Sequence, residues 1–423
     1  MKAFDPQDVT GIGARVLHSG PICDECLGRI AARLGRGLTN AERGRRIRDR
    51  LNSDGVRSQS GVCWLCEGLF DSIPEWARRA AKQVEAYEYT SYLFGVQLTP
   101  RLEQMEAFFN ERFPSEHRES VKHSINRAMG MAFESCIDHP ATVDFHAPHV
   151  SFVVDLRSDA LEVQILSLYL YGRYRKLVRG IPQTRWPCRK CGGRGCEACA
   201  YTGRQYRQSV EEIIAAPLVE MTQAASTALH GAGREDIDAR MLGNGRPFVL
   251  ELRSPKRRSI RISDAHRRVN EGAAGRVEIT PLQIVRRDTV EWVKSLRATK
   301  SYRATVEFER PVEAGVLYAA IESMPGKIAQ RTPQRVAHRR ADLIRHRVLH
   351  EAAGSWIDPT HARIEVRGDG GLYIKELMSG DNGRTTPNLA ERVGVPARVI
   401  ELDVLDVHAA DLPQAMASND LLP

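Results

Sequence analysis

The chain has 423 residues, 42% of them apolar, which is enough for two or three domains with buried cores. Its 61 basic and 53 acidic side chains leave a net charge of +8, which favours an anionic partner, nucleic acid first. It contains no run of about eighteen apolar residues and no apolar leader, so no membrane span or secretory signal is expected and the sequence reads as cytoplasmic.

Residues 1–72 read as a compact basic unit. Of the nine cysteines, eight form Cys-x-x-Cys pairs, and the first two pairs, Cys23/Cys26 and Cys63/Cys66, lie here. In a cytoplasmic chain such pairs mean metal rather than disulfides. Four thiolates from two knuckles make a closed tetrahedral zinc site with no open position for catalysis. Between the pairs a helix is expected over 41–51, capped at Thr39 or Asn40. It carries Arg43, Arg45, Arg46, Arg48 and Arg50, which suit either RNA phosphates or a solvated face.

The next stretch reads as a small α+β module. A helix over 74–89 would share Ala77, Ala80, Ala81 and Val84 on one face. A strand over 92–96 follows, then a helix over 120–133 and short alternating strands at 143–145, 150–155 and 161–166. From Tyr169 to Arg185 arginine, lysine and tyrosine interleave, and a proline-punctuated loop then offers Trp186 to a base. A basic linker is the plainer reading of that stretch. The loop runs into Cys188, Cys191, Cys196 and Cys199, which could close on a second zinc or act as a reducible dithiol pair.

A helix is expected over 209–229. It leads into a stretch where Asp236 and Asp238 lie between Arg234 and Arg240, bracketed by glycines. Asn244-Gly245 is a tight-turn signal and Phe248-Val249-Leu250 a buried strand. Alone, the acidic and basic cluster reads as a salt-bridged surface turn. Strands are expected over 279–284, 300–308, 345–351, 362–367 and 399–407, with a second basic loop over 331–340.

Several of these residues carry a resemblance. Gly233-Arg234-Glu235-Asp236 resembles the Gly-Arg-x-Asp signature of pseudouridine synthases, Lys300-Ser301-Tyr302 their Lys-x-Tyr strand, and Gly371-Leu372-Tyr373-Ile374-Lys375 their later motif. The stretches 23–29, 38–44, 167–176, 182–184, 233–240 and 381–388 resemble the archaeal tRNA pseudouridine-54/55 synthases in particular. The likeness runs along essentially the whole chain.

The resemblance implies an α+β fold. A pseudouridine-synthase catalytic domain over 171–423 would have a mixed, largely antiparallel sheet, preceded by a zinc-binding unit over 1–72 and a THUMP-like RNA-binding domain over 73–170. It implies isomerisation of uridine 55 or 54 in the tRNA T-arm, with Asp236 as nucleophile and Asp238 as runner-up. Tyr302 and Tyr373 would contact the uridine, and Lys375 would pair with the catalytic carboxylate. Basic loops over about 173–190 and 329–345 would grip the RNA, with Arg185, Arg339 and Arg340 joining Arg234 as substrate contacts. Structural zinc is implied at Cys23, Cys26, Cys63 and Cys66, with no organic cofactor and no obligate protein partner. Leu372 departs from the family's usual threonine. The competing class is a zinc-containing tRNA-binding protein without catalysis, against which a separate nucleophile, tyrosine and lysine set argues.

Overall fold

The computed structural model describes residues 4–35 and 37–417, and the Arg339 side chain lies outside the described residues. The chain divides into two units after Leu166.

The first unit begins with helices α1 (Thr10–His18), α2 (Asp24–Gly28) and α3 (Asn40–Ser53). Helix α3 starts where the sequence places its cap: the Glu42 amide donates to the Thr39 hydroxyl, and the Thr39 amide donates to the Glu42 carboxylate. Its arginines divide into two groups. Arg43 is buried and donates to the carbonyls of Leu34, Leu38 and Gly35, and Arg48 pairs with Asp24. Arg45 and Arg46 face solvent, so only part of the run is available to RNA. Helices α2 and α3 touch backbone to backbone. A Cβ at Gly28 would lie 1.8 Å from the Asn40 carbonyl oxygen, so only glycine fits. Val16, Leu17, Leu27, Ile30, Ile47 and Leu51 form the core here with Cys26, Cys63 and Cys66.

The rest of this unit is α4 (Ile73–Val84), β1 (Ser91–Gln97), α5 (Pro100–Arg112), α6 (Val121–Glu134), β2 (Thr142–Val143), β3 (Val150–Asp155) and β4 (Ala160–Ile165). The strands order β2-β1-β3-β4, and only the β3–β4 pair is antiparallel. Helix α5 has no counterpart in the sequence reading. It serves two cores, with Leu102 in that of the sheet and Phe109 in that of the cysteines, so no single apolar stripe announces it.

The second unit opens on β5 (Leu168–Lys176). Its last residues were expected in a basic loop. Instead they are paired in the sheet, and strand alternation turns Tyr174 and Lys176 into the core together. Helix α7 (Val210–Thr222) stops short of the expected end because Gln223 turns left-handed, at φ 52°, and β6 (Ser226–Gly231) replaces the last helical turns. Strand β7 (Arg240–Arg253) runs through Asn244-Gly245, which is a bulge and not a hairpin turn. Tyr174 faces Arg246 and Lys176 faces Met241, so the four residues 242–245 stand opposite the single Arg175.

There follow α8 (Ile262–Ala273), β8 (Val277–Ile279), β9 (Gln283–Val285), α9 (Thr289–Ser295), β10 (Thr299–Phe308), α10 (Ala314–Glu322), β11 (Gly326–Arg331), β12 (Ile344–Asp358), β13 (His361–Gly368), α11 (Ile374–Ser379), β14 (Thr385–Thr386), α12 (Leu389–Val393) and β15 (Ala397–His408). Among the described residues these strands build one sheet in the order β14-β11-β12-β13-β10-β15-β7-β5-β8, with β6 on β7 and β9 on β5. Only the β15–β7 pair is parallel. This is the mixed, largely antiparallel sheet that the sequence implied. Val404 pairs with both Met241 and Tyr302, so the start of β7 is held one strand away from the middle of β10.

Candidate active site

The loop from β6 to β7 is built around a buried carboxylate. Gly233, at φ 77°, lets the backbone pass Lys300, whose Nζ would lie 3.1 Å from a Cβ at that position. Glu235 then turns inward, with its side chain fully buried. It accepts hydrogen bonds from the Tyr174 hydroxyl at 2.9 Å and from Arg246 Nε at 2.9 Å, and Lys176 Nζ stands 3.9 Å away. Arg246 Nη1 donates to the Ala232 carbonyl at 2.7 Å. Lys176 donates to the carbonyls of Ile181, Asp236 and Ile237 at 3.0–3.1 Å. Gln183 bridges the Tyr174 hydroxyl and the Gly233 carbonyl. Arg246, Lys176 and Gln183 all donate to carbonyls of the loop, and Lys176 fixes the backbone at Asp236 from below.

Asp236 faces the opposite way, into a cavity of about 620 Å³ that Arg246, Lys300, Tyr302, Arg335, Arg340, Tyr373 and Lys375 also line. Arg335 Nη1 lies 3.1 Å from Asp236 Oδ2, and its Nε lies 2.6 Å from Glu376. Burial works against the Arg335 charge, but Glu376 and Asp236 more than offset it and hold the guanidinium's pKa above its ordinary value. Lys375 reaches both Asp236 and Asp238. Its Nζ bonds Asp238 at 2.6 Å and stands 3.8 Å from Asp236, because the Arg335 guanidinium already occupies that carboxylate. Burial opposes the charge on Asp238, yet the Lys375 hydrogen bond holds its carboxyl below the usual range.

Tyr302 is buried on β10, and burial pushes its phenol up to about 12, so it is a proton holder at neutral pH. Lys300, two residues earlier on the same strand, is pushed down to about 8 by burial and by Arg246. Burial also lowers the Lys176 pKa. Around the cavity Arg234, Arg246, Lys300, Arg335, Arg340 and Lys375 outnumber the carboxylates Glu235 and Asp236, a surplus of positive charge that suits an anionic substrate. Tyr373 is fixed by paired backbone bonds to the Gln330 side chain at 2.9 Å, and its hydroxyl accepts from Arg340 at 3.1 Å.

The fold therefore gathers Asp236, Tyr302, Tyr373, Lys375, Arg234 and Arg340 around one place. Arg185 is exposed and does not line the cavity. Arg339 cannot be placed, since its side chain lies outside the described residues. Glu235, Tyr174, Lys176, Arg246, Lys300 and Arg335 were given no role from the sequence. All six stand in motifs or basic stretches, and only the fold shows what each of them touches.

The two cysteine sets are each drawn together, with all sulfurs within 4.8 Å of one another. Cys23 and Cys66 Sγ are 3.7 Å apart; in the second set the Cys188–Cys196, Cys191–Cys199 and Cys196–Cys199 sulfurs are 3.8–3.9 Å apart. A tetrahedral ion with metal–sulfur bonds of about 2.3 Å needs sulfur–sulfur edges of about 3.8 Å. Both sets fit a metal ion, and the spacings are far from a disulfide's.

Comparison with known proteins bears on the same residues. A family model described as Pus10, C-terminal, matches residues 169–408, and one described as Pus10 THUMP domain, archaeal, matches 76–155. A tRNA pseudouridine synthase Pus10 from Methanothrix thermoacetophila is 43% identical, covering 95% of this chain and 94% of its own. The protein of that name from Halorubrum lacusprofundi is 42% identical, covering 96% and 98%. The one from Methanocaldococcus jannaschii is 36% identical, covering 95% of each. Among solved structures, a Cbf5-Nop10-Gar1 complex matches 57% of this chain and 50% of that one at 15% identity, with a TM-score of 0.32. The C-terminal model spans more than half of the chain and the relatives align with nearly all of it, so the chain belongs to the Pus10 family of pseudouridine synthases.

Proposed function

We propose that this chain isomerises uridine 55 in the T-arm of tRNA to pseudouridine, with its neighbour 54 as a second target, and that Asp236 is the nucleophile. The observation that carries the reading is Asp236 facing Tyr302 across one cavity while its own backbone is held by Lys176. The reaction breaks the N1–C1′ glycosidic bond, turns the uracil and forms a C5–C1′ bond. The C5 proton leaves and N1 gains one, so atoms balance without redox chemistry or an organic cofactor. A carboxylate can carry this as a covalent nucleophile or by stabilising a cationic sugar. Tyr302 stacks on the uracil and holds a proton close to it. The uridine must leave its stack to arrive, at a cost of a few kcal/mol, which the basic residues gripping the backbone offset.

Zinc is proposed at both cysteine sets. Cys23, Cys26, Cys63 and Cys66 would hold one ion, and Cys188, Cys191, Cys196 and Cys199 the other. Four thiolates leave such an ion no open position, so its contribution is structural. The test of the reaction is an unmodified tRNA transcript incubated without cofactor, with pseudouridine mapped by position. Asp236→Asn is expected to keep tRNA binding and lose product; abundant pseudouridine from that variant would overturn the assignment.

A further inference from the structure

A second cavity of about 340 Å³ adjoins the first, and Arg234, Asp236, Arg335 and Lys375 line both. An occupant of one therefore lies directly against an occupant of the other. The far wall of the second cavity is aromatic. Trp186 and Tyr206 meet edge to face at 5.7 Å, and the Arg234 guanidinium lies 5.4 Å from the Trp186 ring. Both rings are half-buried.

The two rings come from chain segments that flank the second cysteine set, and these segments are tied together. Pro187 and Arg204 form an antiparallel bridge, Gln205 N donates to Trp186 O at 3.0 Å, and Cys188 N donates to Gly203 O at 2.9 Å. The cysteine knuckle thus closes a clip whose open ends are Trp186 and Tyr206. A clip that presents two aromatic rings and a guanidinium plane beside a reactive carboxylate suits a flat, electron-rich ring. Glu235, Asp236 and Asp238 match the cations Arg234, Arg335 and Lys375 in its wall, which leaves no surplus positive charge to favour a phosphate there. RNA bases that leave their stack are held on such aromatic and arginine faces.

We propose that Trp186, Tyr206 and Arg234 form a second nucleobase subsite, which stacks the base adjacent to the target uridine while that uridine occupies the cavity at Asp236. This rests on the RNA reading given above. The subsite compensates the neighbour for the stacking it loses when the target turns out. It also gives two consecutive uridines a place each, so that a one-nucleotide shift exchanges them.

The experiment uses the full chain and T-arm stem-loop RNAs with 2-aminopurine in place of the base on one or the other side of the target. Binding of wild type is expected to quench one of the two labels by stacking. Trp186→Phe should keep the quench, and Trp186→Ala should leave that label bright in the bound complex. An abasic nucleotide at the same position should lower kcat/KM of wild type roughly 5- to 150-fold, the range of a lost base–aromatic stack. Trp186→Ala should lose a similar factor on intact RNA and nothing further on the abasic RNA. Equal brightness of both labels with wild type and Trp186→Ala, or independent losses from the two changes, would overturn the subsite. The fluorescence arm needs no turnover, so it decides the subsite even on an RNA that is left unmodified.

Discussion

Arg335 places Nη1 3.1 Å from Asp236 Oδ2 while its Nε binds Glu376 at 2.6 Å, so one guanidinium joins the loop that carries Asp236 to the start of α11. Glu376 is buried, which fixes the orientation of the fork before substrate arrives. Arg335→Leu is expected to lower kcat by about 10²-fold, the scale of losing one prepositioned charge partner. Arg335→Lys should restore part of it, since the charge returns without the fork. Single-turnover pseudouridine formation at saturating tRNA measures both, and a kcat within twofold of wild type for the leucine variant would refute the role.

Lys375 should matter less than Arg335. Its ammonium serves Asp238, whose side chain is mostly exposed, and an exposed pair contributes at most about 1 kcal/mol. Lys375→Met and Asp238→Asn are each expected to retain substantial turnover in the same assay. A loss as deep as that of Arg335→Leu would make Lys375 as important to Asp236 as Arg335 is.

Lys300 makes stability depend on pH. Its folded pKa is pushed down to about 8, against about 10.4 in an unfolded chain. Between those values the unfolded state holds the proton and the folded state does not, so stability rises with pH across the window. Below pH 8 the full cost of the buried charge is present. Lys300→Met should therefore melt higher than wild type at pH 7, with the gap closing from pH 8 to 10. Calorimetric scans at several pH values check this, and a constant gap would count against a strained lysine.

Two glycines give opposite expectations for the same substitution. Gly28→Ala drives a methyl into the Asn40 carbonyl oxygen at 1.8 Å, and overpacking of this kind costs about 1–3 kcal/mol or more. Gly11→Ala, in α1, meets nothing within 4 Å and should gain up to about 1 kcal/mol from helix propensity. Thermal melts of the two variants should move in opposite directions.

The full chain is expected to carry two equivalents of zinc by elemental analysis. Cys66→Ser should remove one and Cys199→Ser the other. The first loss should lower Tm more, because Cys26, Cys63 and Cys66 belong to a hydrophobic core whereas Cys196 and Cys199 are only partly buried. Retention of both equivalents in either variant would contradict the assigned ligands.

What the sequence made legible was local. The cap of α3 narrows to Thr39 or Asn40, β3 alternates with a period of two, and the Gly-Arg-Glu-Asp run marks the loop that carries Asp236. What it hid was placement. Lys176 stands in an arginine- and lysine-rich run and reads as surface, because nothing local shows that the next strand buries it. Glu235, between Arg234 and Asp236, reads as a solvated charge, although its partners Tyr174 and Arg246 come from two other strands. Asn244-Gly245 has the composition of a hairpin turn, and the long pairing of β7 with β5 makes it a bulge instead. The priority of Arg335 over Lys375 at Asp236 depends on distances that no spacing rule encodes.

Three carbonyls wrap the Lys176 ammonium as a chelate wraps a cation, and that ammonium has no contact with solvent. Dissolved salt cannot screen a charge lodged inside the protein, whereas it reaches Arg340 at the cavity mouth readily. Ionic strength therefore acts on the enzyme's hold and not on its aim. As salt rises, KM for tRNA should climb steeply while kcat stays level, because the loop carries its own counter-ion within.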